Sequence, residues 1–530
     1  MSRTSTALKL SLLSVILTLS SNACGSTPQD NPTLVYGLTL SPSGLDPHIN
    51  ASAELGIPLR SVYDTLVYLD PDSEEFIPGL AESWSISADG LQYTFDLRSD
   101  VSFHDGTPFN AQAVKKNIEY TLNPDHHSQK AAALLGPLEE VDVIDDYRVV
   151  LHLREPFAPL MDSLSQVYLG IASPNALEEW GPAEYQFHQV GTGPYRFVEY
   201  IPDDHILLER YDDYAWAPEL YKNQKAIYGR IEFRFFEDVA TRAIALESGN
   251  VDILGEIPPL DASRLSEQDG FNLHPVSIPG QPLQYLFNTM KAPTDDLQVR
   301  TALIHAVDRD MIVNTVFGST SPVALGPLSQ EGFGDLLTSD FTGYNPDKAE
   351  NLLKEAGWEL DEDGIRRNSV GDPLELVIIA PIWGSNPEVA QLIKVAWEAI
   401  GASVNLDIAP GFGPLREAQA SGKYNAIGIN FFGTDPDLLR PMFSSDGLYN
   451  WTGYANSDLD QLLSNAAQAS LDPDLRKSLY RESIELITSE SLLLPVRDYV
   501  NLVMAESVIN SLRYSASGWF PILIDLEPNS

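Results

Sequence analysis

Between residues 374 and 409 the chain reads LELVIIA, then the loop PIWGSN, then PEVAQLIKVAWEAI, and, after Gly401-Ala402, SVNLDIA. The outer pieces are short apolar runs of strand length, whereas the middle piece carries apolar residues at helical spacing, with Pro387 in its first turn and Gly401 past its end. Asn386 is the expected N-cap. A helix joining two strands in this way is a crossover unit, which makes the strands parallel and gathers the loops at their carboxyl ends. The pattern recurs as a helical stretch near 414–421, the strand YNAIGIN and the loop FFGTDPD. Ligands in open α/β sheets bind at those carboxyl ends, so Trp383, Phe431, Phe432 and Asp435 are expected to look into one crevice.

The remainder of the chain is also mixed helix and strand. At 530 residues it exceeds what one core supports, so two or more compact units are expected, with room for a large pocket between them. AESWSISADGLQYTFDLRSDVSF alternates apolar and polar residues on both sides of Asp89-Gly90, which predicts a hairpin packed through Trp84, Tyr93, Phe95 and Leu97. Next comes FHDGTPFNAQAV, where Asn110 is placed to cap a helix with Val114, Ile118 and Leu122 on one face. YNPDKAENLLKEAGW predicts a helix capped by Asn345, and LQVRTALIHAVDRDMIV a helix interrupted near Asp308.

At the N-terminus, Arg3 and Lys9 precede the apolar run LSLLSVILTL, residues 10–19, which is too short to span a bilayer and has the shape of an export-signal core. Cys24 follows, the only cysteine of the chain, so no intrachain disulfide is possible. Two readings stand. The segment resembles a bacterial lipoprotein signal, residues 1–23, after which Cys24 would be lipidated and 24–32 would be a tether, although Ser21 stands where that pattern has leucine. Otherwise it is an ordinary secretory peptide cut nearby. Both place the mature protein outside the cytoplasm. Acidic residues number 75 against 33 basic, a formal charge of −42, and such a surface repels nucleic-acid phosphates. It reflects solubility and salt adaptation or attraction of a cationic ligand.

Catalytic signatures are absent from the sequence: there is no G-x-S-x-G elbow, no phosphate-binding G-x-x-x-x-G-K-[ST], no H-E-x-x-H and no cysteine pair. A glycosidase needs only two carboxylates without fixed spacing and remains the enzyme alternative. GTGPYR and GFGPLR read as turns, His126-His127 as a solvated surface pair, and His305 as a satisfied core histidine. His104-Asp105 has no nucleophile in its loop and reads as a hydrogen-bonded turn.

Eight stretches in order resemble the extracellular solute-binding proteins of the peptide and nickel family, family 5, which serve ABC importers. They are GLDPH (44–48), GLAESWSISADGLQYTFDLRSDVSFHDGTPFNAQAV (79–114), GTGPYRF (191–197), ALESGNVDIL (245–254), QVRTALIHAVDRDMIV (298–313), YNPDKAENLLKEAGW (344–358), TDPDLLRPMF (434–443) and YANSDLDQLLSNAA (454–467). The resemblance implies an α/β, two-lobed fold like that of periplasmic binding proteins, type II, with an enlarged first lobe, an inserted subdomain and a ligand cleft between the lobes. By it the first-lobe base spans 33–50, 187–283 and 496–530, its insert 51–186 and the second lobe 284–495. The implied function is a monomeric receptor without catalysis or cofactor, which closes on a peptide or similar small organic solute and delivers it to ABC permease subunits in the membrane. An oligosaccharide or a metal chelate is the alternative solute.

Peptide binders of this family hold the ligand amine with an aspartate shortly before the D-P pair of the second-lobe loop. Here Phe432 occupies that position, and Asp435 either substitutes or shapes the loop. The implied ligand-binding set is Ser41, Pro42 and Ser43 from the first lobe, with Trp383, Phe431, Phe432, Gly433, Asp435 and Trp451 from the second. The aromatics either offer flat faces to a ligand or pack the core. Pro42 removes one backbone donor, which weakens recognition by strand addition.

Overall fold

The strand Glu375–Pro381 pairs in parallel with Ser403–Ala409, across the helix Asn386–Ala399, and on its other side with Ala426–Ile429. The computed structural model describes residues 32–527 except Ser43, 338–342 and Asn510. In it the crossover expected at 374–409 is present, and Gly401 leaves the helix at φ +91°. The cap differs by one residue. Ser385, at φ 58°, precedes the helix, and buried Asn386 instead donates through Nδ2 to the Trp383 carbonyl at 2.8 Å. The amide therefore ties the loop rather than the helix end. GFGPLR is likewise more than a turn: the helix Phe412–Ala420 begins inside it, and Pro414 falls in the first turn, where a missing N–H leaves no bond unmade.

Leu283–Phe287 and Leu493–Arg497 complete this five-stranded sheet in antiparallel pairing. One face packs on a core holding Trp397, whose Nε1 donates to the Leu303 carbonyl at 2.9 Å. The other covers a core holding Trp451, Phe443 and Tyr480. Asn345 and Asp308 cap their helices as expected, accepting from the Lys348 and Met311 amides, each at 2.9 Å. His305 Nδ1 meets the Gly343 carbonyl at 2.8 Å, while Nε2 is buried with no hydrogen-bond partner among the described residues.

The first lobe is built on a seven-stranded sheet in which Thr33–Leu38 lies between Arg230–Phe235 and Ile253–Leu254, parallel to both. Beside it stands a four-stranded antiparallel sheet containing the expected hairpin, with Gly90 at φ +72° and Trp84 opposite Phe95. The two sheets share one hydrophobic cluster. Asn110 caps the helix Ala111–Leu122, which buries Val114 and Ile118 but leaves Leu122, in its last turn, 40% exposed. His104 and Asp105 do not bond to each other. His104 Nε2 meets the Gly193 carbonyl at 2.9 Å and its backbone N–H donates to Gly191 O at 2.9 Å, while Asp105 accepts from Ser173 Oγ at 2.5 Å. Burial pushes the imidazole down to about 4, so it stays neutral and stitches this turn to the GTGPYR loop.

Two connections cross between the lobes. Residues 278–282 join Phe271–Ser277 to Leu283–Phe287, and Asp498–Tyr499 join Leu493–Arg497 to Val500–Glu506. The Ile278 amide donates to the Tyr499 carbonyl at 2.9 Å, which makes the crossings one hinge.

Candidate functional site

A cavity of about 520 Å³ lies between the lobes. Leu69, Phe76 and Asp162 face it from the first lobe, Thr434, Asp435 and Arg476 from the second, and the C-terminal stretch from Tyr514 to Gly518 closes one side. Asp162 belongs to the short helix Leu160–Ser165, whose six residues are all buried. One carboxylate oxygen accepts from Thr434 Oγ1 across the cleft, and the other accepts from Gln166 Nε2 at 2.8 Å. Neither donor is charged. Burial, followed by the facing charge of Asp435, pushes the Asp162 carboxyl up to about 6.

Asp435 is differently placed. Both of its oxygens take Arg476 Nη2, at 2.6 and 2.9 Å, and it also accepts from the Asp437 amide at 2.8 Å, capping the turn Pro436–Leu439. It shapes its loop while lining the cavity. Among the described residues the wall is acidic, with Glu74, Asp162, Glu331 and Asp435 set against the single cation Arg476, which is already paired. The lobes also touch at the cavity's rim: the amide of Ala158, which lines the cavity, donates to Ala467 O at 2.7 Å, and Gln468 Nε2 to Glu155 at 3.1 Å.

The loop carrying Phe431 to Asp435 is pinned to the hinge. Gln281 N donates to Phe431 O at 2.7 Å and Gly433 N to Pro279 O at 3.1 Å. The Phe432 ring lies 5.0 Å from Tyr499 and 5.2 Å from Trp519, in tilted or edge contact with each. Tyr499 in turn donates to Glu256 at 2.5 Å, and Thr39 Oγ1 donates to the other oxygen of that carboxylate at 2.7 Å.

Among the residues expected at the site, Asp435 lines the cavity, and Phe432 and Gly433 stand at the hinge beside Pro279 and Gly518, which also line it. Ser41 and Pro42 follow Thr39, and the Ser41 amide donates to Glu237 at 3.2 Å. Half-buried Trp383 and Phe431 pack against the second-lobe core, and Trp451 is inside it at 2% exposure. Ser43 and Cys24 lie outside the described residues. Sequence reasoning missed Asp162 and Arg476. For Asp162 a signal existed: PLMDSLS sets an acid among Leu160, Met161 and Leu164, and carboxylates are almost never fully buried without a reason.

Residues 75–454 match the model of the bacterial extracellular solute-binding proteins, family 5. The chain belongs to that family. The glutathione-binding protein GsiB of Pectobacterium atrosepticum is 29% identical over 468 residues, 85% of each chain. The dipeptide-binding protein of Escherichia coli is 28% identical over 509 residues, 90% of each. Among solved structures, NikA from Brucella suis in complex with Fe(III)-EDTA superposes with a TM-score of 0.81 at 25% identity, covering 94% of this chain and all of that one. The fold is thus the two-lobed α/β fold of periplasmic binding proteins, and the protein is a non-enzymatic, extracytoplasmic solute-binding receptor of an ABC transporter. Among the described residues no helix is long and apolar enough to cross a membrane.

Proposed function

We propose that the cleft captures a peptide or similar small organic solute bearing a protonated amine, by lobe closure and without chemistry, and that Asp162 is the amine's anchor. The observation that carries this is a carboxylate, 5% exposed, on the cavity wall, whose hydrogen-bond donors among the described residues are neutral. Arg476 and Lys130 act on it through space without a hydrogen bond to it among the described residues, and an ammonium brought by the solute adds a charged partner in direct contact. A wall that is acidic among the described residues, with Arg476 already paired to Asp435, disfavours anionic chelates and favours cations or zwitterions.

The N-terminal sequence supports anchorage of the mature chain through a lipidated Cys24. The strands held by each sheet support a first lobe of 33–50, 187–283 and 496–530 around the insert 51–186, and a second lobe of 284–495.

The test is a thermal-shift screen of the mature protein against peptides, sugars and metal chelates. A solute present at about one hundred times its dissociation constant is expected to add roughly 2.7 kcal/mol of stability, and mass spectrometry should recover it unaltered. Stabilisation by chelates or sugars alone, or cleavage of the solute, would overturn the reading.

A further inference from the structure

The four-stranded sheet of the first lobe meets the second lobe away from the hinge. Its hairpin turn carries Gly90, and the loop 155–158, which follows the strand Arg148–Leu153, is tied to the hairpin because the Tyr93 hydroxyl donates to the Phe157 carbonyl at 3.2 Å. Opposite stands the corner 466–470, where the helix Ser457–Gln468 gives way to Pro473–Ser489. The two sides meet directly. The Ala158 amide donates to Ala467 O at 2.7 Å and Gln468 Nε2 to Glu155 at 3.1 Å, while Ser470 sits against Gly90, where an added Cβ would meet its Oγ at 2.7 Å and Pro156 Cβ at 3.2 Å. The bare glycine is the seat.

A helix leaves the carbonyls of its last turn without an intrahelical donor, and here the donor for Ala467 comes from the other lobe. Opening returns both groups to water, so the net gain is modest. Among the described residues, Ala158 both lines the solute cavity and joins this contact, whereas Gly90, Glu155, Gln468 and Ser470 stand off the cavity wall. The contact therefore needs no solute. Arg476 ties the corner to the cavity, because its Nε donates to the Ala466 carbonyl at 3.3 Å while its Nη2 takes Asp435 at 2.6 and 2.9 Å. Corner and wall move as one body.

We propose that the hairpin turn at Gly90 and the loop 155–158 are a latch for the second lobe, a closing contact that forms in the empty receptor and is shared by every solute it captures. A contact common to the empty and filled closed forms multiplies both closing equilibria by one factor, so it strengthens capture without selecting among solutes. One net backbone hydrogen bond is worth about fivefold in the ratio of closed to open protein. The test uses mature full-length protein without solute, in small-angle scattering at pH 4, where the Asp162 carboxyl is largely neutral. Two neutral wedges are compared with the native form: Gly90→Asn, since asparagine tolerates the positive φ of +72°, and Ser470→Gln from the facing lobe. A third form carries Cys24→Ser, Gly90→Cys and Ser470→Cys and is oxidised in the absence of solute. Equilibrium dialysis against a random tripeptide pool, read by mass spectrometry, gives the effect on capture.

The expected result is a compact native protein and a larger radius of gyration for both wedges, with capture lowered about fivefold for every tripeptide and their rank order unchanged. The cysteine pair should form its disulfide without solute and stay compact at pH 7 until reduced. Folded wedges as compact as the native form, a native form as expanded as the wedges, or capture lost for some tripeptides only would overturn the latch. So would a cysteine pair that does not cross-link without solute, a result that stands even where a wedge fails to fold. Native protein that captures no tripeptide would overturn the solute reading above, while scattering and cross-linking still decide the latch.

Discussion

In the structure, burial and the facing Asp435 push the Asp162 carboxyl up to about 6; lobe opening is taken to let water reach it and return it toward the ordinary 3.8. The closed form therefore holds this proton longer. Below about pH 4 the group is neutral in both forms and costs closure nothing. Between pH 4 and 6 the closed form takes up a proton, and above 6 the ionised carboxylate opposes closure in full. The interval from 3.8 to about 6 corresponds to on the order of 3 kcal/mol, or roughly a hundredfold in the ratio of closed to open protein. Asp162→Asn removes the charge and keeps an acceptor for Thr434. Small-angle scattering of ligand-free protein from pH 4 to 8 should show the native form expanding through pH 4–6, whereas the variant should keep its low-pH dimensions throughout. Superimposable profiles, or a native protein that contracts as the pH rises, would refute the reasoning.

Gly280→Ala should loosen the hinge by about 2 kcal/mol or more, because its Cβ would meet Phe431 O at 2.6 Å, Phe432 Cα at 2.7 Å and Gly433 N at 2.9 Å, at a backbone φ of +137°; the midpoint of urea unfolding measures it. Arg476→Gln leaves Asp435, 14% exposed, without its cation and should cost about 3 kcal/mol in the same assay. Trp397→Ala empties a fully buried site and abandons the bond to Leu303, for about 3 to 5 kcal/mol, yet it does not touch the cavity, so solute affinity at a temperature where the variant is folded should be unchanged.

The sequence carried the second lobe well because its signals are local. Strand, turn and helix between 374 and 409 each declare themselves by period and punctuation, and their parallel pairing follows from chain connectivity. Capping side chains at Asn110, Asp308 and Asn345 were equally readable. Asn386 was not, because the helix starts one residue early, placing Asn386 inside its first turn, where Nδ2 donates to the Trp383 carbonyl and Oδ1 caps no described residue. The cavity wall was hardest to read. Asp162 and Thr434 are 272 positions apart and meet only when the lobes do, and Arg476 reaches Asp435 from a helix 41 positions later. No periodicity reports such pairings. Trp451 shows the converse: an aromatic near a loop reads the same whether it faces ligand or core, and its 2% exposure comes from packing that depends on several distant elements.

In the proposed reading, the phenylalanine at position 432 has a mechanical consequence. An amine anchor on the second-lobe loop would hold solute on one lobe before closing, whereas here Phe432 packs on Tyr499 and Trp519, and the Gly280–Phe432 bridge ties its loop to one hinge crossing while its ring touches the other. Thr434 and Asp435 therefore turn with the hinge as a unit. The carboxylate that needs a cation sits on the opposite lobe, and its partner across the cleft is the Thr434 hydroxyl. An ammonium lodged between them gains Asp162 from one side and hydroxyl and loop oxygens from the other only when the lobes are shut. A ligand shifts a conformational equilibrium by no more than its differential affinity for the two forms, and an anchor completed by closure concentrates that difference in the amine.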